Sequence, residues 1–391
     1  FVIEAVDRLP LDIFHVNHRG TGSKQFPPHV MLALLIYCYA NSIFSSRKIE
    51  RATSRDVAVK YLTGGHKIDH DTICTFRRNN FEAITKAFVD VLEIAKELKL
   101  LRLGNIAIDG THIKANASID QNVTYQRAVE IREQLRLDIA ELMEEAEKAD
   151  RNEVDTQKLP EEIARREKLA AKMDMAIGEL TKRAATRDAK AKAEYEEKLK
   201  KRKKHEKETG KKPKGRAPKE PDYGPENSDE QCNLTDCDAR IMRKNRRSGF
   251  TESYNCQAAV DTEGTQLILG DHVSQSASDS NELKPGIECI DERVGKPDSA
   301  STDAGYLNAD MIEEIEREYG IEIYCSVHRE DAHSERNYDY RPRKETERKS
   351  RELKDTRLLE MREKLRTPEG KEIYSRRNHT VETAFGIIKE V

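Results

Sequence analysis

The chain has 391 residues, of which 36% are charged and 36% hydrophobic, and its formal net charge is −3. This lean apolar content excludes one compact core over the whole length, and at about 150 residues per domain the length predicts two to three domains. The near-neutral charge excludes a globally basic nucleic-acid binder, so any nucleic-acid-binding surface must be local.

No run of about 18 apolar residues exists, so the sequence predicts no membrane span. The seven cysteines are odd in number and scattered, which is typical of the reducing cytoplasm rather than of a disulfide framework. Cys232 and Cys237 stand close together without a second pair of ligands at zinc spacing, so we interpret them as reduced structural thiols. Because the chain begins at Phe1 and ends at Val391 inside a helical pattern, we expect a fragment of a longer protein.

Residues 1–98 are predicted to be helical. Pro27 and Pro28 precede the apolar run VMLALLIYCYA, where proline in the first turn costs no hydrogen bond. A second helix begins at SSRKIERAT with a serine cap, and a third begins at DHDTICTFRRNNF with Asp71 as its cap. Short helices around a double glycine favour a helix-turn-helix module for DNA binding, although an ordinary small helical bundle explains the same pattern.

The period of the sequence changes at residues 103–117. LGNIAIDGTHIKAN indicates a buried strand that ends at Asp109, with a turn at Gly110 and an exit behind it. A lone aspartate at this place is either an ordinary strand-end cap or one member of a site whose other members lie elsewhere.

Residues 119–231 read as a charged insertion. Two apolar stripes at spacings of three and four predict an antiparallel helical hairpin with coiled-coil character, broken at 152–160. The stripes are Ala128, Ile131, Leu135, Ile139, Leu142 and Ala146, then Ile163, Ala170, Met173, Ile177 and Leu180. Residues 198–219 then hold 12 Lys and Arg against 2 Glu, a local net charge of +10. This basic segment is either a solvated linker or a tether for DNA phosphates, and we interpret it as flexible and loosely DNA-facing.

Residues 249–391 return to mixed periods. SYNCQAAVD and QLILGDHVSQ predict a hairpin with Gly264 in its turn, NELKPGIECIDERVG a helix, and DSASTDAGYLN a short strand and turn. NADMIEEIEREYG predicts a helix between Asn308 and Gly320, IEIYCSV a strand, and YSRRNHTVETAFGIIKEV the end of a long basic helical region. This order indicates an α/β fold with a mixed sheet flanked by helices.

Three acids in this pattern are candidates for a common site. Asp303 repeats the arrangement of Asp109, a strand-end carboxylate followed by a small residue and glycine, and Glu382 lies beside Val381 and Phe385, which bury one helix face. Each acid alone has an ordinary structural explanation. Gathered carboxylates about 4 Å apart repel by roughly 4 kcal/mol per pair at an effective dielectric of about 20, so they need a proton or cations. An all-oxygen ligand set selects Mg²⁺ or Mn²⁺, and paired ions catalyse in-line displacement at phosphorus.

These motifs resemble those of DDE-type transposases of bacterial insertion sequences, over nearly the whole chain. FSSRKIERA with DHDTICTFRR resembles the N-terminal DNA-binding region, AIDGTHIKANAS the first-acid motif, DAGY the second and LRTPEGKEIYSRRNHTVETAFGIIKE the last. The family's tyrosine, arginine, glutamate and lysine fall on Tyr374, Arg377, Glu382 and Lys389. Four residues separate Arg377 from Glu382 where the commonest form has three, so Arg376 is an alternative to Arg377.

The resemblance implies three domains. Residues 99–118 and 232–391 would form a ribonuclease-H-like catalytic domain, a mixed sheet flanked by helices. Residues 1–98 would form an all-α helix-turn-helix-like DNA-binding domain, and 119–231 a charged helical-hairpin insertion with a basic linker.

The resemblance also implies the chemistry. Asp109 would bridge two Mg²⁺ or Mn²⁺ ions, with Asp303 and Glu382 completing the ligands. Water would cut a phosphodiester at the transposon end, and the freed 3′-OH would attack target DNA. The residues expected to contact DNA are Tyr374, Arg376, Arg377, Lys389, Lys114, Asn116, Arg77, Arg78, Arg47 and Lys48.

We therefore expect a cytoplasmic transposase that binds double-stranded DNA at inverted repeats, as a homodimer because two ends must be joined, and does not bind a membrane. One alternative is a catalytically inactive, transposase-derived DNA-binding protein. Another is an interaction scaffold in which the helical insertion is the functional part.

Overall fold

The structure is a computed structural model, and it describes residues 2–16, 25–151, 159–209, 215–243, 248–327 and 355–389. The chain divides into two compact units. One unit consists of Phe1–Thr111, Cys256–Ser274 and Ser278–Val391, and the other of His112–Asn255 and Gln275–Ala277. The division into three domains at residues 98, 118 and 231 stays a prediction.

The N-terminal part of the first unit is helical, as predicted. Its helices are α1 (Val2–Val6), α2 (Pro28–Ala40), α3 (Ser46–Arg55), α4 (Val57–Leu62), α5 (His70–Asn79) and α6 (Phe81–Glu97). The single helix expected beyond the double glycine is wrong, because Asn80 ends α5 by donating from both its backbone N–H and its side chain to the Phe76 carbonyl. The expected cap is also wrong: Asp71 lies inside the first turn, and Asp69 accepts the Thr72 N–H instead.

The described residues contain one six-stranded sheet and one two-stranded sheet. The strands are β1 (Asn105–Lys114), β2 (Asn122–Thr124), β3 (Gln231–Asn233), β4 (Arg240–Met242), β5 (Thr251–Asp261), β6 (Ile268–Ser274), β7 (Ser299–Thr302) and β8 (Glu322–Cys325). The large sheet has the order β4-β5-β1-β7-β8, with β6 paired to β5, and β2 pairs with β3. β1, β7 and β8 pair in parallel and β4–β5 pair antiparallel, so the sheet is mixed, as predicted. This arrangement is compatible with a ribonuclease-H-like fold.

Strand β1 corrects one prediction. It does not end at Asp109 but continues to Lys114. The apolar run does stop at Ile108, yet β-branched Thr111 and Ile113 favour extended backbone beyond it, and β5 pairs along β1. What ends near Asp109 is the pairing of β1 with β7, whose last matched pair is Ala107 with Ser301.

Helices cover both faces of the large sheet. They include α9 (Leu283–Glu288), α10 (Ala309–Glu318), α11 (Thr356–Arg366) and α12 (Pro368–Lys389), and α9 is shorter than the predicted helix. On one face, Ile106 and Ile108 join a core with side chains from α6, α9, α10 and α11. On the other face, Ala107 packs with Val381 and Phe385 of α12.

The second unit contains the predicted helical hairpin, α7 (Tyr125–Arg151) and α8 (Leu159–Thr209). Ala128 and Leu135 of α7 and Met173 and Leu180 of α8 are buried in its core, and Ile131, Ala170 and Ile177 pack against it, so these members of the two predicted stripes face the core as predicted. Helix α8 continues through the first half of the basic segment, which the interpretation of 198–219 as flexible did not expect. Residues 210–214 of that segment lie outside the described ranges. None of the helices in those ranges is long and apolar enough to cross a lipid bilayer.

Candidate active site

Two of the predicted acids lie close together where β1 and β7 part. The last matched pair of these parallel strands is Ala107 with Ser301, and Asp303, the residue directly after β7, lies near enough to Asp109 for its carboxylate to raise the pKa of Asp109. Side chains alternate along a strand, so Asp109 shares the sheet face of Ala107, which is covered by α12. Parallel pairing of β1 with β7 therefore brings together carboxylates that are far apart in the sequence.

Each aspartate also accepts a hydrogen bond from a backbone N–H that follows it in the chain. Asp109 Oδ1 accepts the Gly110 N–H at 2.8 Å, and Asp303 Oδ1 accepts the Gly305 N–H at 2.6 Å. The second contact caps the short 3-10 helix Ala304–Tyr306. Each aspartate therefore does cap the backbone that follows it, but only one oxygen of each carboxylate takes part in this capping.

Arg377 is the cation that faces this pair. It lies one turn before Val381 on the buried face of α12, and its guanidinium donates to Asp109 Oδ2 at 3.3 Å. The guanidinium also lies 5.6 Å from the centre of the Tyr374 ring. Among the described residues, nothing accepts a hydrogen bond from its buried Nε. Arg377 therefore supplies positive charge to the site while one of its donors is unused.

Burial is the main reason why the ionised form of Asp109 is disfavoured. The pKa of Asp109 is raised to about 6, first by burial and to a smaller extent by the Asp303 and Asp279 carboxylates, while the Gly110 N–H and Arg377 act in the opposite direction. This is the behaviour expected of a carboxylate that is largely removed from water.

Comparison with protein families agrees with the motifs. Residues 3–79 match the family described as Transposase domain (DUF772), and residues 233–391 match the family described as Transposase DDE domain. The chain belongs to the DDE transposases of insertion sequences. Comparison with curated proteins and with solved structures gives no significant match.

The third predicted acid of this DDE transposase, Glu382, is exposed on α12. Val381 and Phe385 turn towards the sheet, and each helical residue is rotated by about 100° from the one before it, so Glu382 turns away from that face. In the described part of the chain, no three His, Cys, Asp or Glu side chains are arranged to hold a metal ion. The structure therefore unites Asp109 with Asp303, and the participation of Glu382 stays a prediction.

The other predicted DNA contacts on α12 have different surroundings. Tyr374 is partly buried beside Arg377. Arg376 pairs with Glu372 at 2.7 Å and with Glu263 at 3.7 Å, whereas Lys389 is exposed at the end of the helix. Of the two candidate arginines, Arg377 is therefore the one that faces the aspartates.

The remaining candidates lie outside α12. Arg47, Lys48 and Arg78 are exposed on α3 and α5. Arg77 instead donates to the Tyr39 hydroxyl at 3.0 Å and to the Phe44 carbonyl at 3.2 Å, contacts that hold α5 within the helical region. Lys114 and Asn116 are exposed in the second unit.

Asp279, in the short 3-10 helix Asp279–Asn281, also lies near Asp109 and was not singled out in the sequence. Its Oδ2 lies 3.5 Å from the position that a Cβ on Gly305 would occupy, and Asp303 Oδ1 lies 2.8 Å from the same position. The two carboxylates therefore face one small space. An isolated aspartate in the serine-rich run SQSASDSN has the composition of a loop, and it carried no signal that could have identified it.

Proposed function

We propose that this transposase binds DNA containing the inverted repeats of its element and catalyses metal-dependent phosphodiester cleavage followed by strand transfer. The observation that carries the proposal is the proximity of Asp109 on β1 to Asp303, directly after β7, with Arg377 of α12 facing both. Two such carboxylates facing one arginine could bind a metal ion and a phosphate. They do not serve the stability of the fold, since burial opposes the charge of Asp109.

Carboxylate oxygens are the donors that a hard divalent cation prefers. Asp109 and Asp303 offer such donors beside the facing Arg377, and the absence of a side chain at Gly305 leaves space between Asp303 and Asp279. Asp109 and Asp303 would hold Mg²⁺ or Mn²⁺, and Glu382 is proposed as a further ligand. When bound, the metal would activate water and offset charge that develops on the phosphate.

Arg377 would position the phosphate. Its planar guanidinium forms paired hydrogen bonds to phosphate oxygens, and the Tyr374 ring beside it restricts its orientation. Its contact with Asp109 is single and long at 3.3 Å, so a phosphate offering two acceptors is a better partner. Burial of these side chains under α12 strengthens each contact by keeping water away.

We also propose the finer architecture on this basis. Parallel β1, β7 and β8 beside antiparallel β4 and β5 support a ribonuclease-H-like catalytic domain. The helical residues 1–98 would bind the transposon end through the exposed Arg47, Lys48 and Arg78. Synapsis of two ends requires two copies of the chain, so the DNA-bound form would be a homodimer.

A nicking assay tests the proposed function. We expect the chain to nick a supercoiled plasmid that carries the element's terminal repeats, in Mg²⁺ or Mn²⁺ and not in EDTA. Asp109→Ala should abolish nicking while DNA binding is retained or slightly tighter, because one fewer carboxylate repels the phosphates. Nicking by Asp109→Ala at the wild-type rate would refute the proposal.

The exposure of Glu382 favours one alternative, a transposase-derived protein that binds DNA without cutting it. The same assay separates the two functions. Metal-dependent nicking supports the enzyme, whereas repeat-specific binding by the wild-type chain without nicking in either metal supports the alternative.

A further inference from the structure

The exposed face of α3 consists largely of basic side chains. Its cations, Arg47, Lys48, Arg51 and Arg55, are all exposed. Successive helical residues are rotated by about 100°, so these side chains fall within an arc of about 100°. The buried residues of α3 lie on the opposite side of the helix. One side of α3 therefore packs into the helical region, and the other presents positive charge.

Neighbouring acids do not neutralise this charge. Glu50, the acid of α3, instead contacts His70 Nδ1 at 2.7 Å. Asp56, which follows the helix, accepts the Val59 N–H at 3.0 Å and so caps α4. Within the part of the chain that the structure describes, none of the α3 cations forms an ion pair. Like charges three and four residues apart destabilise a helix slightly, so an anionic partner explains this arrangement better than the stability of the fold does.

The basic face of α3 also has the dimensions of the major groove of DNA. The helix has ten residues, which makes it about 15 Å long, and a helix with its side chains fits a groove about 12 Å wide. Lys48, Arg51 and Arg55 line the same shallow depression, so they face one ligand together. Arg51 lies about 6 Å along the helix axis from both Arg47 and Arg55 and therefore occupies the middle of the face.

Helix α5 is the other candidate in this region, and it presents less positive charge. Its Arg77 donates to a tyrosine hydroxyl and a backbone carbonyl of the same helical region. Asp69 and Asp71 are exposed at the beginning of α5, where they would repel a phosphate. Arg78 is the arginine of α5 that is exposed. The charge of α3 is therefore more complementary to DNA than the charge of α5.

We propose that α3 enters the major groove of the terminal repeat and reads its sequence through Arg51. In this arrangement the Arg51 guanidinium donates to O6 and N7 of one guanine, the paired contact by which arginine distinguishes this base. Arg47, Lys48 and Arg55 hold the phosphates that flank the groove. This inference rests on the proposed function, to which it adds the helix, the groove and the residue that select the transposon end.

Fluorescence anisotropy of the full chain tests this assignment, in EDTA so that no DNA is cut. One duplex carries the terminal repeat, and the other carries a scrambled repeat of the same composition. Arg51→Ala should bind the repeat about tenfold more weakly or worse, and the scrambled duplex at most about threefold more weakly. Arg51→Lys keeps the charge but should lose the same preference, because lysine cannot make the paired contact. Wild-type preference for the repeat in Arg51→Ala would overturn the proposal.

Modified DNA identifies the base that Arg51 contacts. Replacing guanine by 7-deazaguanine removes the N7 acceptor, and at one position of the repeat this should weaken wild-type binding by about fivefold. Arg51→Ala should bind that modified duplex as well as it binds the unmodified repeat, because the contact is already absent. If every such replacement weakens Arg51→Ala as much as the wild type, Arg51 does not read a guanine and the proposal is wrong.

Arg55→Ala tests the phosphate contacts. It should weaken binding to both duplexes alike and reduce the slope of log K against log salt by about 1, whereas Arg55→Lys should behave like the wild type. Arg102→Ala removes an exposed arginine outside α3 and is the control that should change neither affinity. A wild-type slope in Arg55→Ala would contradict the docking of α3.

These measurements also separate the inference from the function on which it rests. If the wild type prefers the repeat and Arg78→Ala, rather than Arg51→Ala, loses this preference, α5 reads the DNA. The inference is then wrong and the proposed function stands. If the wild type binds the repeat and the scrambled duplex equally well, the proposed recognition of the inverted repeats itself fails.

Discussion

At the residue scale, Asp109 has two roles that oppose each other. Its partly buried carboxylate is proposed to act in catalysis beside Asp303, but burial and the neighbouring carboxylates oppose its charge. Gly110 and Arg377 compensate only in part. The folded protein therefore loses stability to keep an ionised acid at this position, as catalytic sites commonly do.

Replacing Asp109 by asparagine should therefore stabilise the protein. The pKa of Asp109 rises from 3.8 to about 6 on folding, so the contribution of this residue to stability is greatest below pH 3.8, falls as the pH rises from 3.8 to about 6, and is constant above that. Asparagine mimics the neutral form, and we expect the free energy of unfolding at pH 7 to increase by about 3 kcal/mol. Urea titrations in EDTA measure this gain, which should vanish near pH 3.5. A variant less stable than the wild type at pH 7 would contradict this account.

Single residues also show where prediction from sequence succeeds. Asp109 and Asp303 could be picked out because each stands at the end of a predicted strand and close before a glycine, Gly110 or Gly305, which is a local pattern. The position of Asp279 near these acids could not be predicted, because it depends on Gln257 and Gly305, which only the folded chain brings near it. The exposure of Glu382 was equally hidden, since the rotation of α12 is set by packing.

At the element scale, α12 joins the fold to the site. Its buried residues Val381 and Phe385 pack on β1 and β5, and the same face carries Arg377 to Asp109. Apolar spacing predicted this helix and the helical hairpin, because both patterns are local. It did not predict that β1 continues to Lys114, because pairing with β5 is a long-range contact.

Truncating the buried face of α12 should destabilise the protein. Phe385 is 8% exposed, and Phe385→Ala should lower the free energy of unfolding by about 3 kcal/mol through lost burial and the cavity left behind. Ile387 is 58% exposed on the same helix, so Ile387→Ala is a control that should cost less than about 1 kcal/mol. Equal losses in denaturant titrations would show that α12 does not pack as described.

The basic end of α8 should contribute to DNA affinity through charge. Lys200, Lys203 and Lys207 are exposed there, and changing all three to glutamine should reduce the slope of log K against log salt by up to about 3. The matched variant with three arginines keeps the charge and should keep the slope. Fluorescence anisotropy at several salt concentrations measures both, and an unchanged slope in the glutamine variant would exclude this segment from the interface.

At the scale of the whole molecule, the long insertion begins and ends at one small sheet. β2 and β3 pair antiparallel, with Thr124 opposite Gln231, so the chain leaves and returns at adjacent positions. The acids of the candidate site all belong to the other unit. The insertion can therefore be removed between Thr124 and Gln231, and the two chain ends left behind can be joined by a short turn.

Replacing residues 125–230 by Asn-Gly, a two-residue hairpin turn, should preserve catalysis. We expect metal-dependent nicking to survive at low salt and saturating protein, while affinity for DNA falls because the basic end of α8 is gone. The same deletion carrying Asp303→Asn is the control and should not nick. Loss of nicking in a deletion variant that still unfolds cooperatively would favour the scaffold hypothesis.

The central claim, that Asp303 holds the divalent cation of a cleavage reaction, is tested most directly by Asp303→Cys in the plasmid assay. A thiolate is a poor ligand for Mg²⁺ and a better one for Mn²⁺, so nicking should be lost in Mg²⁺ and partly restored in Mn²⁺. Asp303→Ala should be inactive in both metals. Wild-type nicking by Asp303→Cys in Mg²⁺, or equal restoration of Asp303→Ala by Mn²⁺, would contradict the account.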